Sequence, residues 1–199
     1  MSTNMTPSLP LPTDTTGRHS TAWWGMLILI INEAVLFASL LASYFYIRFN
    51  SPSWPQDQLE RPELLLPVIG TIVLVSSSFA MHFAQRAIRQ NSNERLRLGL
   101  AIGFVLGLVF LGIQFFEYSR LPFQPDDDVY ASLFFAITGI HALHVTIGVI
   151  MNLFTQIRAS TEGFTASRHE TVENVVLYWH FVDLVWIFVF ISLYLSPYL

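Results

Sequence analysis

The sequence predicts an all-α fold, an integral membrane bundle of five transmembrane helices. Three observations carry that reading. Of the 199 residues, 53% are hydrophobic and only 12% are charged, against about 25% charged in an ordinary soluble domain. Mean hydropathy is +0.50. The apolar residues gather in five runs, each near the roughly 20 residues that a helix needs to cross the hydrocarbon of a bilayer.

Taken in order, Met1 to about Thr21 is a polar tail rich in Pro, Thr and Ser, expected to be disordered. The membrane domain then occupies residues 22–199. Trp23 and Trp24 mark an interface, and the first helix runs to about Ile47, flanked outside by Tyr44, Tyr46 and Arg48. A Pro-, Asp- and Glu-containing loop from Asn50 to Glu63 leads to a second helix, about Leu64 to Phe83. An arginine-rich turn holds Arg86, Arg89, Arg95 and Arg97, and a third helix follows from about Leu98 to Tyr118. The acidic loop Asp126-Asp127-Asp128 precedes a fourth, about Tyr130 to Phe154. A polar hairpin ending near Glu173 introduces the fifth, which reaches about Leu195.

Several function classes fall away on composition. The chain has no cysteine, which excludes disulfides, thiolate metal sites, iron–sulfur clusters and a cysteine nucleophile. A net charge of −4 points to neither nucleic acid nor a polybasic membrane anchor. No signal peptide is visible in the polar first 20 residues. Every basic residue is an arginine, and with the N-terminus inside, seven lie on the cytoplasmic side against three outside. That bias orients the multi-pass chain in the cytoplasmic membrane with its N-terminus in and its C-terminus out.

The ionisable residues inside the spans narrow the reading further. Each costs about 2.5–3.5 kcal/mol near mid-bilayer on insertion scales, so partners are expected on other helices. In the last span, YWHFVDLVW (Tyr178 to Trp186) sets His180 and Asp183 three apart, on one helix face. Glu33 lies about 10 residues past Trp23, roughly 15 Å into the membrane. The fourth helix carries Thr138, His141, His144, Gly148 and Asn152 at steps of three and four, and the third ends with Gln114 and Glu117. Glu33, His141, His144, His180, Asp183, Gln114 and Glu117 are therefore the candidate buried polar network. By depth, Glu33 and the His141 to His144 turn nearly coincide. The second helix adds Thr71 and Ser76 to Ser78, whose hydroxyls bond back to their own helix or across a helix pair.

Other features have plain readings. Gly99, Gly103 and Gly107, spaced by four, form a seam that lets backbones approach. Trp23 and Trp24 with Arg86 and Arg89 are candidates for docking phospholipid head groups at the inner interface. The six histidines are spread in depth, too thin a set for a di-iron centre or a bis-histidine haem. No metal ligand and no catalytic residue is expected in this chain.

Four stretches together carry a family resemblance. WWGMLILIINEAVLFASLLASYFY (Trp23 to Tyr46), LGIQFFEYSRLPF (Leu111 to Phe123), the Asp127 to Gly148 segment with its TGxHxLHVxIG pattern, and YWHFVDLVWIFVFISLYL (Tyr178 to Leu195) resemble subunit III of the haem–copper terminal oxidases. Helix 2 fits more loosely, through Thr71 and Ser76–Ser78. The match runs in order from Trp23 to Tyr194 and places Glu33 on the family's buried carboxylate. Departures are specific. Mitochondrial-type members have seven helices, and this chain lacks counterparts of the first two, as shorter bacterial forms do. Gly70 stands where the family has Asn, and the C-terminus lacks the Trp-rich ending.

The resemblance implies a subunit without haem or copper of its own, set beside subunits I and II, which carry those groups. It implies phospholipid between the helices, support of sustained proton uptake, and a larger respiratory supercomplex as a further candidate partner. Two alternatives stay open at this point. A subunit-III-like component of a quinol oxidase or nitric oxide reductase would share the same motifs. A stand-alone proton-coupled carrier would use Glu33, His141, His144 and Asp183 as a relay, although no internal repeat or broken helix points that way.

Overall fold

The computed structural model describes residues 20–55, 61–161, 163–165 and 169–198. Five helices result: α1 (Thr21–Asn50), α2 (Leu65–Arg89), α3 (Asn93–Tyr118), α4 (Val129–Thr161) and α5 (Glu170–Val189). All are long and apolar enough to cross a membrane. Past α5 the chain continues as a wide π-helical segment, Phe190–Leu195, and a 3-10 turn, Ser196–Tyr198. The expected disordered tail lies outside the described residues up to residue 19.

The helices are longer than the apolar runs that announce them, because polar residues complete their ends. At α1 the Ser20 hydroxyl accepts the backbone N–H of Trp23 at 3.3 Å, an N-cap that starts the helix at Thr21. The arginine-rich turn is much shorter than expected. Arg86 and Arg89 lie in the last turn of α2, where positive charge suits the helix dipole, while Arg95 and Arg97 lie inside α3. Only Gln90, Asn91 and Ser92 connect the helices, with Asn91 at φ +55°, a left-handed conformation that Asn tolerates. α4 likewise runs two turns past Phe154, with Arg158 in its last turn.

The bundle is built around α5. The share of each span's most apolar window that is buried rises from 6% in α1 to 56% in the last span, Glu170–Tyr198, which α5 begins. α5 packs against α1, α2 and α4, while α2 and α3 form a tight hairpin and α3 also packs on α4. Between α2 and α3 the spacing is set by glycine. A Cβ at Gly99 would sit 2.8 Å from Ala84 Cβ and 2.9 Å from both Ala84 N and Ala80 O. At Gly103 it would meet Met81 Sδ at 2.8 Å, and at Gly107 the Trp179 ring at 2.7 Å. The three glycines thus face α2 first, then the α2–α4 junction, then α5.

Outward from this core the helices present large apolar side chains: Phe115 and Phe154 are 79% and 65% exposed. Such a surface fits lipid, and in water it would be an aggregation surface. Short polar ties close the ends. At the arginine-rich end Arg89 pairs with Glu173 at 2.9 Å, and Asn93 Oδ1 accepts the N–H of Phe164 at 3.2 Å. At the opposite end Arg48 donates to the carbonyl of Ser196 at 2.7 Å, and Tyr44 meets the Ser196 hydroxyl at 3.0 Å. The π-helical segment frees carbonyls there: that of Leu193 accepts Tyr130 Oη–H at 2.8 Å, and that of Ser192 accepts the Ser196 hydroxyl.

Candidate functional site

The polar residues inside the spans form separate clusters where the sequence led us to expect one network. The first joins α1 to α4. His144 Nε2 lies 2.9 Å from Glu33 Oε2, and its Nδ1 lies 2.8 Å from the carbonyl oxygen of Ile140. A carbonyl only accepts, so Nδ1 carries a proton and donates it. The Nε2···Oε2 contact then holds one further proton, either as a carboxylic acid donating to neutral imidazole or as an imidazolium donating to a carboxylate. Both forms have zero net charge, which is what makes the pair tolerable at membrane depth. Tyr178 of α5 donates to the His144 carbonyl at 3.3 Å.

Glu33 itself is not fully buried. Its side chain keeps 31% of its accessible surface against 9% for His144. The cause is the placement of α1, which packs mainly on α5 and α4 and so turns most of its surface outward.

His141, one turn along α4, takes no part in this pair. It is fully buried, and among the described residues neither ring nitrogen has a hydrogen-bond partner. Aromatic rings surround it: Trp186 at 4.9 Å, Phe110 at 5.9 Å and Phe37 at 6.3 Å between centroids. Those rings fill the space through which a network would have run.

The second cluster joins α2 to α5 nearer the arginine-rich end. Ser78 Oγ lies 2.6 Å from His180 Nδ1, and the His82 ring stands 6.4 Å from that of His180. His180 is only half-buried, and His82 is exposed on the outer face. Asp183 is 6% exposed and lies beside Ser78, but neither carboxylate oxygen makes a hydrogen bond of standard geometry.

The third cluster lies at the other end. Glu117 Oε2 accepts from Gln114 Nε2 and from Tyr194 Oη–H, each at 3.1 Å. The hydroxyls of α2 serve a further purpose that sequence reasoning left general. Ser77 accepts Trp179 Nε1–H at 2.8 Å, and Thr71 accepts Trp186 Nε1–H at 2.9 Å. Asn152 of α4 donates to the Leu100 carbonyl of α3 at 3.1 Å. The signal for the two tryptophan bonds was the stripe of Tyr and Trp on α5, because a buried indole or phenol needs a partner for its polar tip.

The four residues singled out for head groups do not converge. Trp23 and Trp24 meet edge to face at 5.1 Å on α1, while Arg86 and Arg89 lie on α2, and the two helices share no extensive packing. Arg89 is committed to Glu173, which also contacts His169 Nε2 at 3.1 Å; Arg86 is exposed. A separate apolar groove of about 310 Å³ opens between α1 and α5, lined by Ala34, Phe37, Leu41, Phe181, Leu184 and Phe188. Among the described residues no group of three His, Asp or Glu is disposed to share a metal ion.

The fold and these clusters define a class: a multi-pass helical membrane protein whose internal polar groups fasten helices together. Comparison with known proteins gives the family. The family model for cytochrome c oxidase subunit III matches residues 13–198. Similar proteins include cytochrome c oxidase subunit 3 of Synechocystis sp., 38% identical over 180 residues, covering 90% of this chain and 77% of the relative. That of Thermostichus vulcanus is 37% identical over 172 residues, 86% and 85% of the two chains. That of Spodoptera frugiperda is 41% identical over 129 residues, 65% of this chain and 88% of the relative. The chain belongs to the cytochrome c oxidase subunit III family.

Proposed function

We propose that the chain is the non-catalytic subunit III of a bacterial aerobic haem–copper oxidase, a complex that reduces O2 to water and pumps protons. Haem and copper belong to the partner subunits I and II in this reading. The chain's own part is to support assembly, hold phospholipid and sustain proton uptake. The observation that carries the mechanistic half is the Glu33–His144 pair, a single exchangeable proton held at membrane depth on the outward-turned side of the loosest helix. A carboxylate on that side is accessible to a neighbouring subunit in a way that Asp183 and Glu117 are not.

The membrane is the cytoplasmic one, with the arginine-rich end inside. Inner-leaflet phospholipid meets Arg86, with Trp23 and Trp24 anchoring α1 at the same level, and the α1–α5 groove accepts an acyl chain. Arg89 contributes less, because Glu173 already neutralises it. The test is affinity purification of the tagged chain from its own membranes in mild detergent. Co-elution of haem- and copper-bearing subunits, with an O2-consuming activity, is expected. Elution of the chain alone, under conditions that keep other respiratory complexes whole, would overturn the assignment to an oxidase.

A further inference from the structure

At the end opposite the arginine-rich one, a pocket of about 130 Å³ opens between the start of α2 and the end of α3, lined by Arg61, Glu63, Leu66, Glu117, Arg120 and Leu121. Its volume equals roughly four waters' share of liquid, the scale of a small polar group. The charges on its walls are of both signs. Arg61 and Arg120 form no ion pair among the described residues, yet each is held in place by an aromatic face. The Arg61 guanidinium lies 5.2 Å from the Tyr198 ring centroid, and that of Arg120 lies 4.5 Å from the Phe116 centroid. Tyr198 is itself tied down by a 3.0 Å hydrogen bond to the Pro62 carbonyl.

The opposite sign comes from Glu63, which is exposed, and from Glu117 at the pocket's inner wall. Glu117 is 5% exposed. Its Oε2 is satisfied by Gln114 and Tyr194, but its Oε1 has no hydrogen-bond partner among the described residues. A buried carboxylate oxygen left unmatched beside a polar pocket is an unmet demand for a donor. Two guanidiniums call for an oxyanion, whereas two carboxylates would repel a purely anionic ligand. A small zwitterion meets both demands. The rim continues onto apolar helix surface, with Leu65 67% exposed, Val68 40% and Phe116 47%, so the ligand's remainder is apolar and runs along the helices.

We propose that this pocket binds the head group of a zwitterionic amino-phospholipid, phosphate against Arg61 and Arg120 and ammonium toward Glu63 and Glu117. The site lies in the leaflet opposite Arg86 and is independent of the oxidase reading, needing only that the helices span a bilayer. Lipid can therefore be counted on the tagged full chain whether or not haem-bearing subunits accompany it.

The test is native mass spectrometry of the purified protein after exchange into nanodiscs of phosphatidylethanolamine, phosphatidylglycerol or phosphatidylcholine. Wild type is expected to retain one phosphatidylethanolamine that Arg61→Gln/Arg120→Gln binds at least tenfold more weakly. Phosphatidylglycerol and phosphatidylcholine, lacking a primary ammonium, should be retained less. Glu63→Gln, at an exposed position that leaves both arginines in place, should shift retention from phosphatidylethanolamine toward phosphatidylglycerol. Equal retention of all three lipids, or no change in either variant, overturns the proposal. Displacement of the bound lipid by millimolar inorganic phosphate would overturn the zwitterion and leave a simple anion site.

Discussion

Removing the Glu33 carboxylate tests how α1 is held. In Glu33→Ala, His144 keeps its Nδ1–H bond to Ile140 but loses the partner that Nε2 has among the described residues, 2.9 Å away. Leaving a buried polar atom unmatched costs about 1–3 kcal/mol. Because Glu33 is 31% exposed and His144 9%, the lower part, about 1–2 kcal/mol, is expected. That is roughly a 5- to 30-fold shift in the attachment equilibrium. For a helix with only 6% of its most apolar window buried, this is a large share of what holds it. Glu33→Gln should behave differently, because its amide N–H can donate to the Nε2 lone pair that Nδ1 protonation leaves available. The assay is retention of the chain in the purified complex across a detergent series, with turnover measured alongside. Glu33→Ala should dissociate early. Glu33→Gln should assemble normally with at most a modest loss of turnover. Pairing both with His144→Phe completes a double-mutant cycle, and a coupling of about 1 kcal/mol is expected. Additive effects, or equal losses in Ala and Gln, would refute the hydrogen-bond account. A Glu33→Gln complex that assembles but cannot pump would mean that the pair's proton is used in pumping.

Four shorter predictions follow from the packing and the chemistry. Gly99→Ala should destabilise by about 1–3 kcal/mol as an overpacking change, because the new methyl meets α2 backbone at 2.9 Å. Gly112→Ala, with nothing within 4 Å, should be neutral or mildly stabilising; equal thermal midpoints for the two would refute the seam. Gly103→Leu should abolish assembly, since Met81 can yield to a methyl but not to an isobutyl group, and normal yields of complex would contradict this. Breaking Arg89–Glu173 by Arg89→Gln should cost under about 1 kcal/mol, as exposed ion pairs do, and a large loss in a thermal melt would show that the pair is more than a surface tie. Iron and copper in the isolated chain should be well below one per chain by elemental analysis, and stoichiometric metal would overturn the assignment of redox groups to the partners.

The fold class was legible because lipid imposes a simple grammar: long apolar runs, few charges, Trp and Arg at the ends. Helix lengths were less so. Arg86, Arg89 and Arg158 read as loop residues on hydropathy, yet they finish helices where carbonyl ends favour positive charge. Depth counting placed Glu33 level with the His141 to His144 turn, but it could not choose between the histidines. That choice depends on helix rotation, which turns His141 toward Phe110 and Trp186 and His144 toward α1, where it meets both Glu33 and the Phe37 ring. Exposure was harder still. Nothing in one chain's sequence says that α1 is the outlying helix, so Glu33 read as buried when it lies at an edge. The pairings of Trp179 with Ser77 and Trp186 with Thr71 were hidden for a related reason. The α2 hydroxyls could bond their own helix or reach across a helix pair, and nothing in the sequence named the tryptophans as their partners.

The separation of the clusters bears on the proton-carrier alternative. A relay of side chains across the membrane would pass from the Ser78–His180–Asp183 group, through the Glu33–His144 pair, to Glu117 and Tyr194 at the far end. His141 is the residue that would have to link the last two steps. It sits in a box of rings, with Trp186 tilted over its face at 4.9 Å and that indole's own N–H turned away to Thr71. The ring best placed to carry a proton onward is thus walled by groups that can neither accept nor deliver one. Asp183 meets a similar end, beside Ser78 but with both oxygens unmatched within the described residues. These polar groups fasten helices pairwise, α1 to α4, α2 to α5, α3 to the end of the chain. Of these groups, Glu33 is the carboxylate on the outward edge, with 31% of its side-chain surface exposed, and this is why the proposed function rests on it rather than on a path through the bundle.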